Sequence, residues 1–345
     1  MLRGIFHKIL STKKVKFQDL KSLYELPFFE LLTKAREVHD LNWPKNEIQL
    51  CTLLSIKTGG CSEDCSYCAQ SARYKSGVDA ERLMPKCDIL DRAKAAKENG
   101  STRFCMGAAW KGVRKNTKRF DEVIEIVKSV SELGMEVCTT LGELGPEEAK
   151  SLKDAGVTAY NHNIDTSPEH YPNIVSTHKF EDRLNTIRNV QDAGMSVCCG
   201  GILGLGETVD DRLKMLEILS NFNPAPESIP INKLMPMPGT PLAGANPVDT
   251  FDVARTIACA RISVPNAKIR LSAGRTALSE EAQALCFFAG ANSIFYGDKL
   301  LTANNPQTTQ DLKLLKKLGI SPQSPNPEME APEANSQLPL APQSA

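Results

Sequence analysis

The sequence predicts an α/β protein built as a (β/α)8 TIM-type barrel. Between residues 49 and 297, short apolar segments alternate with amphipathic helical segments, and eight segments are strand-like. Strands separated by helices pair in parallel through right-handed crossovers, and eight such units over roughly 250 residues match the size of this barrel. The alternative is a doubly wound open sheet. A glycine cluster at Gly201, Gly204 and Gly206 could favour it, but lacks the spacing of a dinucleotide site.

Each element has an ordinary sequence signal. One predicted helix begins at Pro146 with an acidic first turn, and Gly156 follows its end. The predicted strands are residues 53–57, 102–107, 136–141, 159–165, 196–203, 228–234, 268–273 and 292–296. The predicted helices between them are residues 121–133, 146–155, 180–193, 210–219, 249–262 and 279–289.

The predicted domain organisation has three parts. Residues 1–48 form a helical N-terminal extension, residues 49–318 form the barrel, and residues 319–345 form a disordered tail rich in Pro, Ser, Gln and Asn.

Composition excludes some classes of function. The 41 basic and 41 acidic side chains balance, so charge gives no case for nucleic acid or an anionic membrane. No apolar run reaches the roughly 18 residues of a transmembrane helix. Eleven cysteines spread along a chain with no secretory signal indicate a reducing compartment. The first 18 residues are basic and lack acids; we expect a cytoplasmic protein, with a mitochondrial presequence as the alternative.

Three closely spaced cysteines follow the first predicted strand. Cys61, Cys65 and Cys68 have the spacing C-x3-C-x2-C, which can hold three irons of a 4Fe–4S cluster and leave the fourth iron open. That open iron suits the amino and carboxylate groups of S-adenosylmethionine, and Tyr67 offers an aromatic face near the adenine. A structural zinc site usually needs a fourth ligand and commonly uses two C-x2-C pairs, of which the second is missing here. This motif resembles the radical S-adenosylmethionine superfamily.

A second group of cysteines lies toward the C-terminal parts of later strands. Cys105, Cys138 and Cys198 would each face the loops where barrel enzymes place their sites. A buried cysteine in a strand is commonly a small apolar residue, so each alone could serve packing. Three on separate strands beside a cluster motif favour a second metal site. The remaining cysteines are assigned to packing: Cys51, Cys87, Cys199, Cys259 and Cys286.

One predicted strand is unusually polar. Alternation puts Asn161, Asn163 and Asp165 on one face, and strands disfavour these residue types. Since helices cover the outside of such a barrel, this face should be the inner one, where unpaired polar groups are costly unless they bind something. Asn232 on a later strand is interpreted in the same way.

Arg270 lies in the middle of a predicted strand. An inward arginine is rarely buried without a partner, so it needs an anionic or metal-bound group inside the barrel. Alternatively, it begins the strand and reaches out to solvent.

Five motifs together resemble the biotin synthase family over residues 28–318. They are Cys61-Ser-Glu-Asp-Cys65-Ser-Tyr-Cys68, Arg103-Phe-Cys-Met-Gly-Ala-Ala-Trp110, Tyr160-Asn-His-Asn-Ile-Asp-Thr-Ser167, Gly200-Gly-Ile-Leu-Gly-Leu-Gly-Glu-Thr208 and Arg270-Leu-Ser-Ala-Gly-Arg275. Departures are mild: Ile164 stands where Leu is frequent, and Cys199 where a smaller residue is usual.

The resemblance implies a role for each candidate residue. The first three cysteines would hold a 4Fe–4S cluster, and the second three would hold a 2Fe–2S cluster with Arg270, an unusual ligand because guanidinium normally stays protonated. Asn163 and Asp165 would bind the ribose of S-adenosylmethionine. Gly201 and Glu207 would lie beside its adenosine and methionine parts. Asn161 and Asn232 would contact the ureido ring of dethiobiotin.

The resemblance also implies the activity, a radical insertion of sulfur into dethiobiotin to form biotin. A one-electron donor such as flavodoxin or ferredoxin and a homodimeric assembly belong to the same expectation. Two alternatives stay open from the sequence: another two-cluster radical S-adenosylmethionine enzyme, and a non-catalytic zinc or iron structural module.

Overall fold

A computed structural model describes residues 14–324 and shows a closed parallel barrel surrounded by helices. All eight predicted strands are present, one of them as two pieces. The barrel strands are β1 (Glu47–Lys57), β2 (Arg103–Ala108), β3 (Glu136–Thr140), β4 (Ala159–Asn161), β5 (Ser196–Cys198), β6 (Gly201–Leu203), β7 (Ser228–Lys233), β8 (Lys268–Leu271) and β9 (Ser293–Phe295).

Helices follow most strands, as predicted. Those of the barrel are α3 (Lys86–Glu98), α4 (Lys118–Ser131), α5 (Pro146–Asp154), α6 (Phe180–Asp192), α7 (Val209–Ser220), α8 (Thr250–Ser263), α9 (Glu280–Phe288) and α10 (Thr308–Leu318). Their buried faces are apolar: in α4, Val123, Ile126, Val127 and Val130 face the strands at helical spacing.

Parallel pairing of β1 with both β2 and β9 closes the sheet, so the open-sheet alternative is wrong. The predicted strand 196–203 is interrupted at residues 199–200. Its first half pairs with β4 and β7, and its second half pairs with β7 and forms a parallel bridge from Gly201 to Asp165 beyond β4. β4 ends at Asn161, next to this interruption, so the barrel wall is irregular where β4, β5 and β6 meet.

The described part of the N-terminal extension is helical, with α1 (Phe17–Tyr24) and α2 (Phe28–Asn42). Both pack on the outside of the barrel, α1 against α7 and α8 and α2 mainly against α8. At the other end, β10 (Ser321–Pro322) pairs with the start of β1, so regular structure continues past residue 318. Residues 1–13, with most of the basic stretch, and residues 325–345 of the predicted tail lie outside the described residues.

A polar layer lies inside the barrel at the N-terminal ends of its strands. The Arg103 guanidinium donates to Glu136 through Nε (2.7 Å) and to Glu227 through Nη2 (3.0 Å). Lys268 Nζ lies 3.2 Å from a Glu227 oxygen, and the Gln49 amide donates to Glu136. Burial alone would raise the pKa of Glu227, but Arg103 and Lys268 outweigh it and lower that pKa to about 2. This ion network fills the barrel interior at the N-terminal ends of the strands.

Gly201 allows β6 to approach its neighbours closely. A Cβ there would clash with Met215 Sδ and lie 2.6 Å from the Asp165 carbonyl oxygen, which is backbone and cannot swing away. We therefore expect Gly201→Ala to destabilise the protein by about 1–3 kcal/mol, the usual cost of overpacking a core. The measurement is the midpoint of thermal unfolding. Gly244→Ala is the matched control, because a Cβ at Gly244 would meet nothing within 4 Å. Equal midpoints for the two variants would contradict this account.

Candidate active site in the barrel

The loop after β1 folds back on itself around its three cysteines. The Cys61 amide donates to the Gln70 carbonyl (2.9 Å), and the Ala72 amide donates to the Cys61 carbonyl (2.7 Å). Gly59, in the left-handed region at φ 66°, begins the turn, where a Cβ would clash with the Asp79 carbonyl. The fold-back holds the C-x3-C-x2-C segment as one compact loop at the C-terminal end of β1.

A carboxylate inside the motif fastens this loop to the chain beyond β4. Asp64 Oδ1 accepts from the amides of Ser176 (2.9 Å) and Thr177 (3.1 Å). Burial would raise the pKa of Asp64, but hydrogen bonds from the hydroxyls and the amides of Ser176 and Thr177 outweigh it and lower that pKa well below its ordinary value. The loop is therefore positioned before any ligand binds.

The cysteine loop lies against a buried group of titratable side chains. The Tyr67 hydroxyl donates to Asp165 Oδ2 (2.9 Å), and Arg183 Nη2 lies 3.6 Å from the same oxygen. His178 Nε2 lies 3.8 Å from Cys65 Sγ. Burial raises the pKa of Asp165, opposed by Arg183 and Tyr67, and burial also raises the pKa of Cys61, Cys65 and Cys68. Thiols in such surroundings are inert until a metal takes their protons.

The second group of cysteines meets inside the barrel, as predicted. Cys105 and Cys138 are register partners on β2 and β3 and pack with Cys51 and Ala159. Cys198 approaches from β5 and accepts from Arg270 Nη1 at 3.5 Å. Hydrogen bonds with Cys138 lower the pKa of Cys105 and lower that of Cys198 to about 6, while they raise that of Cys138. The three thiols therefore form one electrostatic unit.

Arg270 is an inward, fully buried arginine, so the alternative of a solvent-facing side chain is wrong. Its Nε donates to Ser293 Oγ (3.0 Å) and its Nη2 to Cys51 Sγ (3.3 Å), while its guanidinium lies 5.0 Å from the Phe295 ring centroid. Two of the three guanidinium nitrogens of Arg270 therefore donate hydrogen bonds to cysteine sulfur.

The donor chemistry of both groups fits iron–sulfur clusters. Each offers at least three thiols, from a short loop or from strands of the barrel, and clusters are held by thiolates. Near the deeper group, buried Arg103 Nη1 lacks a hydrogen-bond partner among the described residues, as expected beside an acceptor such as a sulfide. Within residues 14–324, no three Cys, His, Asp or Glu side chains are arranged to share one metal ion. A cluster does not require that arrangement, since each thiolate binds its own iron.

One cavity joins the two cysteine groups. Its volume is about 230 Å³, and its lining includes Tyr67 and Cys68 from the loop and Cys105, Cys138 and Arg270 from the barrel. Three of the polar residues predicted to face inward, Asn161, Asn163 and Asn232, also line it.

No helix within residues 14–324 combines the length and the apolar composition of a membrane-spanning segment.

Profiles of two families match most of the barrel. The Radical SAM superfamily matches residues 55–219, and the Biotin and Thiamin Synthesis associated domain matches residues 230–321. Biotin synthase of Myxococcus xanthus is 57% identical over 310 residues, covering 90% of this chain and 89% of that protein. The chain belongs to the biotin synthase family. Biotin synthase of Bordetella avium is 55% identical over 306 residues, covering 89% of this chain and 94% of that one.

Solved structures share the fold of this biotin synthase family member at low identity. Methylornithine synthase superposes with a TM-score of 0.77 at 20% identity, covering 92% of this chain and 97% of that one. A second structure, the [FeFe]-hydrogenase maturase HydG, superposes with a TM-score of 0.79 at 17% identity, covering 94% and 76%. Membership of the superfamily implies S-adenosylmethionine and a 4Fe–4S cluster as cofactors of the family.

Three of the predicted binding residues differ in surroundings from the sequence expectation. β4 ends at Asn161, and Asp165 has a φ of 65°, so simple alternation does not hold; Asp165 is buried beside Tyr67 rather than in the cavity lining. Glu207 is also outside that lining: it accepts from the Gly204 amide and from Arg212 Nε (2.7 Å). Asn232 lines the cavity, but its amide already donates to the Gly201 carbonyl and accepts from the Ala273 amide.

One assignment of a cysteine to packing is wrong, because Cys87 is exposed on α3. Cys51 is buried and packs with Cys105 and Cys138, as assigned, but it also accepts a hydrogen bond from Arg270, which the sequence did not predict. Cys199, Cys259 and Cys286 are buried in the core outside the barrel wall, in agreement with packing. In the sequence, Cys51 lies in an apolar segment with no other cysteine within several residues. Its only sequence signal is therefore that it alternates with Gln49 and Leu53 along the strand.

Arg183 is a second residue that the sequence analysis missed. It lies on amphipathic α6, where an arginine ordinarily faces solvent, yet it is largely buried and donates to the Tyr171 hydroxyl (2.7 Å). Burial lowers its pKa, but Asp165 and the neighbouring Tyr and Cys groups outweigh this and raise it well above the ordinary value. It therefore provides a fixed positive charge beside the cysteine loop.

Proposed function

We propose that this chain inserts sulfur into dethiobiotin to form biotin, using S-adenosylmethionine, a 4Fe–4S cluster and a 2Fe–2S cluster. The observation that carries the proposal is the single cavity onto which both thiol groups open. Radical chemistry needs its source and its sulfur donor within reach of one substrate, and a joint cavity supplies that proximity. Membership of the biotin synthase family supports the same assignment.

In this proposal, Cys61, Cys65 and Cys68 hold the 4Fe–4S cluster, and the deeper thiols with Arg270 hold the 2Fe–2S cluster. When bound, the cofactors supply the radical and the sulfur, and the protein supplies binding, orientation and exclusion of water. The closed barrel and the ion network around Arg103 and Glu227 seal the interior from below. The Asn side chains in the cavity wall offer amide donors and acceptors to a ureido ring.

Asn163 and Asp165 are proposed to hold the ribose, and Tyr67 to face the adenine. Gly201 would let the chain approach the adenosine closely, since a side chain is missing there. The surroundings of Glu207 favour a supporting role, because its carboxylate holds the Gly204 amide and pairs with Arg212. Asn232 can reach a ligand only if it shares or releases one of its two backbone hydrogen bonds.

Partners and location complete the proposal. A flavodoxin- or ferredoxin-like protein would supply single electrons, and the homodimer stays a prediction from the resemblance. The named relatives come from bacteria, which favours the cytoplasm over the mitochondrial alternative.

Anaerobic reconstitution with iron and sulfide, followed by incubation with S-adenosylmethionine, reductant and dethiobiotin, tests the proposed function. We expect both 5′-deoxyadenosine and biotin by mass spectrometry. 5′-Deoxyadenosine without biotin, from protein with both clusters loaded, would assign the chain to different radical chemistry. Neither product from a protein with a loaded 4Fe–4S cluster would contradict the proposal.

Asp165→Ala is expected to weaken S-adenosylmethionine binding. A hydrogen bond to a charged group contributes about 1.5–3 kcal/mol, which corresponds to roughly a 10- to 100-fold loss of affinity. Equilibrium dialysis with anaerobic, reconstituted protein measures it.

Tyr67→Phe is the matched control, because it removes the hydroxyl that donates to Asp165 and leaves the carboxylate and the ring in place. A much larger loss for Asp165→Ala than for Tyr67→Phe supports a direct contact with the ribose. Equal losses would show that Asp165 acts only by positioning Tyr67.

A further inference from the structure

A fourth thiol lies in the deeper cysteine group of the barrel. Cys51 is on β1, where Gln49 and Leu53 share its face: Gln49 bonds to groups inside the barrel and Leu53 lines the cavity. Its side chain is fully buried and packs with Cys105 and Cys138. The deeper group therefore holds four cysteines rather than the three predicted, and two of them, Cys51 and Cys198, accept hydrogen bonds from Arg270.

The hydrogen bonds of Arg270 are those of a cation, with each of its three nitrogens directed at an acceptor. Nε donates to Ser293 Oγ, Nη1 to Cys198 Sγ at 3.5 Å, and Nη2 to Cys51 Sγ at 3.3 Å. A guanidinium in this state has no free lone pair to give to iron. Four thiolates, by contrast, are the usual ligand set of a 2Fe–2S cluster.

Cys51 is held in place by Gln49 and by Ser293, which also contacts Arg270. Its thiol lies 3.3 Å from Gln49 Oε1 and 3.7 Å from Ser293 Oγ. Ser293 Oγ in turn donates to Gln49 Oε1 (3.2 Å). The Arg270 guanidinium and the Cys51 thiol therefore both contact Ser293. A metal site within reach of one of these two side chains is thus within reach of the other.

From this arrangement we propose that Cys51 is an alternative iron ligand of the deep cluster, exchanging with Arg270 at the fourth position. In this exchange the Cys51 thiol would lose one proton and coordinate as thiolate, and the neutral guanidine released by Arg270 would take up one proton and donate hydrogen bonds to sulfur again. One proton is lost and one is gained, and no electrons are transferred. The inference rests on the proposed 2Fe–2S site and extends it.

The test compares single and double variants of the full chain, reconstituted anaerobically with ⁵⁷Fe. The readouts are iron and acid-labile sulfide per chain and the Mössbauer spectrum, none of which requires biotin formation. Wild type is expected to hold about six irons. Arg270→Ala should keep them, with a Mössbauer signature of an all-thiolate 2Fe–2S site, because Cys51 fills the vacated position. Cys51→Ala should also keep them, through Arg270.

The double variant Cys51→Ala/Arg270→Ala should fall to about four irons. Retained formation of 5′-deoxyadenosine would show that its barrel is folded. Cys199→Ala/Arg270→Ala is the matched control: it removes a buried thiol that belongs to the core outside the barrel, and should keep all its irons.

Two results overturn the inference: loss of the deep irons from Arg270→Ala while Cys51 is present, or their retention in the Cys51→Ala/Arg270→Ala variant. A wild-type protein that never exceeds about four irons is a separate outcome, since it removes the proposed 2Fe–2S site itself.

Discussion

Replacing Cys65 by alanine is expected to abolish reductive cleavage of S-adenosylmethionine. Cys65 is the central cysteine of the loop and is buried beside Tyr67, Asp165 and Arg183. Without its thiolate only two protein ligands remain for the proposed 4Fe–4S cluster, and no nearby free cysteine outside the motif contacts the loop among the described residues. Loss of a supporting partner alone commonly costs 10- to 100-fold in metal sites, so loss of a ligand should cost at least about 100-fold.

The measurement is 5′-deoxyadenosine formed per chain after anaerobic reconstitution and reduction, with iron content determined on the same sample. Cys87→Ala is the control because Cys87 is exposed on α3, away from both thiol groups. If Cys65→Ala cleaves S-adenosylmethionine at the rate of the control, the C-x3-C-x2-C loop does not hold the cluster.

The fold could be predicted because short apolar segments alternate with amphipathic helical segments along the barrel. The position of Cys105 and Cys138 toward the C-terminal ends of their strands predicted that they face the site, and both line the cavity, as does Arg270. Two-residue alternation, which predicted one polar face for Asn161, Asn163 and Asp165, failed after Asn161, where the strand ends and the left-handed Asp165 follows. A positive φ at a non-glycine residue has no reliable sequence signal, so the surroundings of Asp165 could not be predicted.

Arg183 and the hydrogen bond of Cys51 to Arg270 were missed for a different reason. Arg183 resembles any solvent-facing arginine of an amphipathic helix, and only the packing of α6 against the loop after β4 buries it. Cys51 resembles a small apolar strand residue, which is the commonest state of a buried cysteine. The deciding contacts are those of Arg183 with Asp165 and Tyr171 in the irregular segment before α6, and those of Cys51 with residues on other strands. The local sequence pattern at Arg183 and at Cys51 does not contain this information.

Cys138→Ala is expected to separate the two halves of the chemistry: biotin formation should be lost while 5′-deoxyadenosine still forms. Cys138 lies between Cys105 and Cys198, and its hydrogen bonds to them set the pKa of all three thiols. Alanine leaves a gap in this thiol group, so the proposed 2Fe–2S cluster should lose a ligand and its irons. The cysteine loop after β1 has its own hydrogen bonds and is not touched by this change.

Mass spectrometry of both products, with iron per chain on the same sample, checks this expectation. Iron should fall from about six to about four, and biotin yield by at least about 100-fold, as for the loss of any direct ligand. Cys199→Ala is the matched control, since it removes a buried thiol that packs outside the barrel wall, and it should leave both products unchanged. If Cys138→Ala makes biotin as the control does, Cys138 serves packing alone. If both products disappear together, the two thiol groups do not act independently, and the cavity between them couples cluster loss in one group to chemistry at the other.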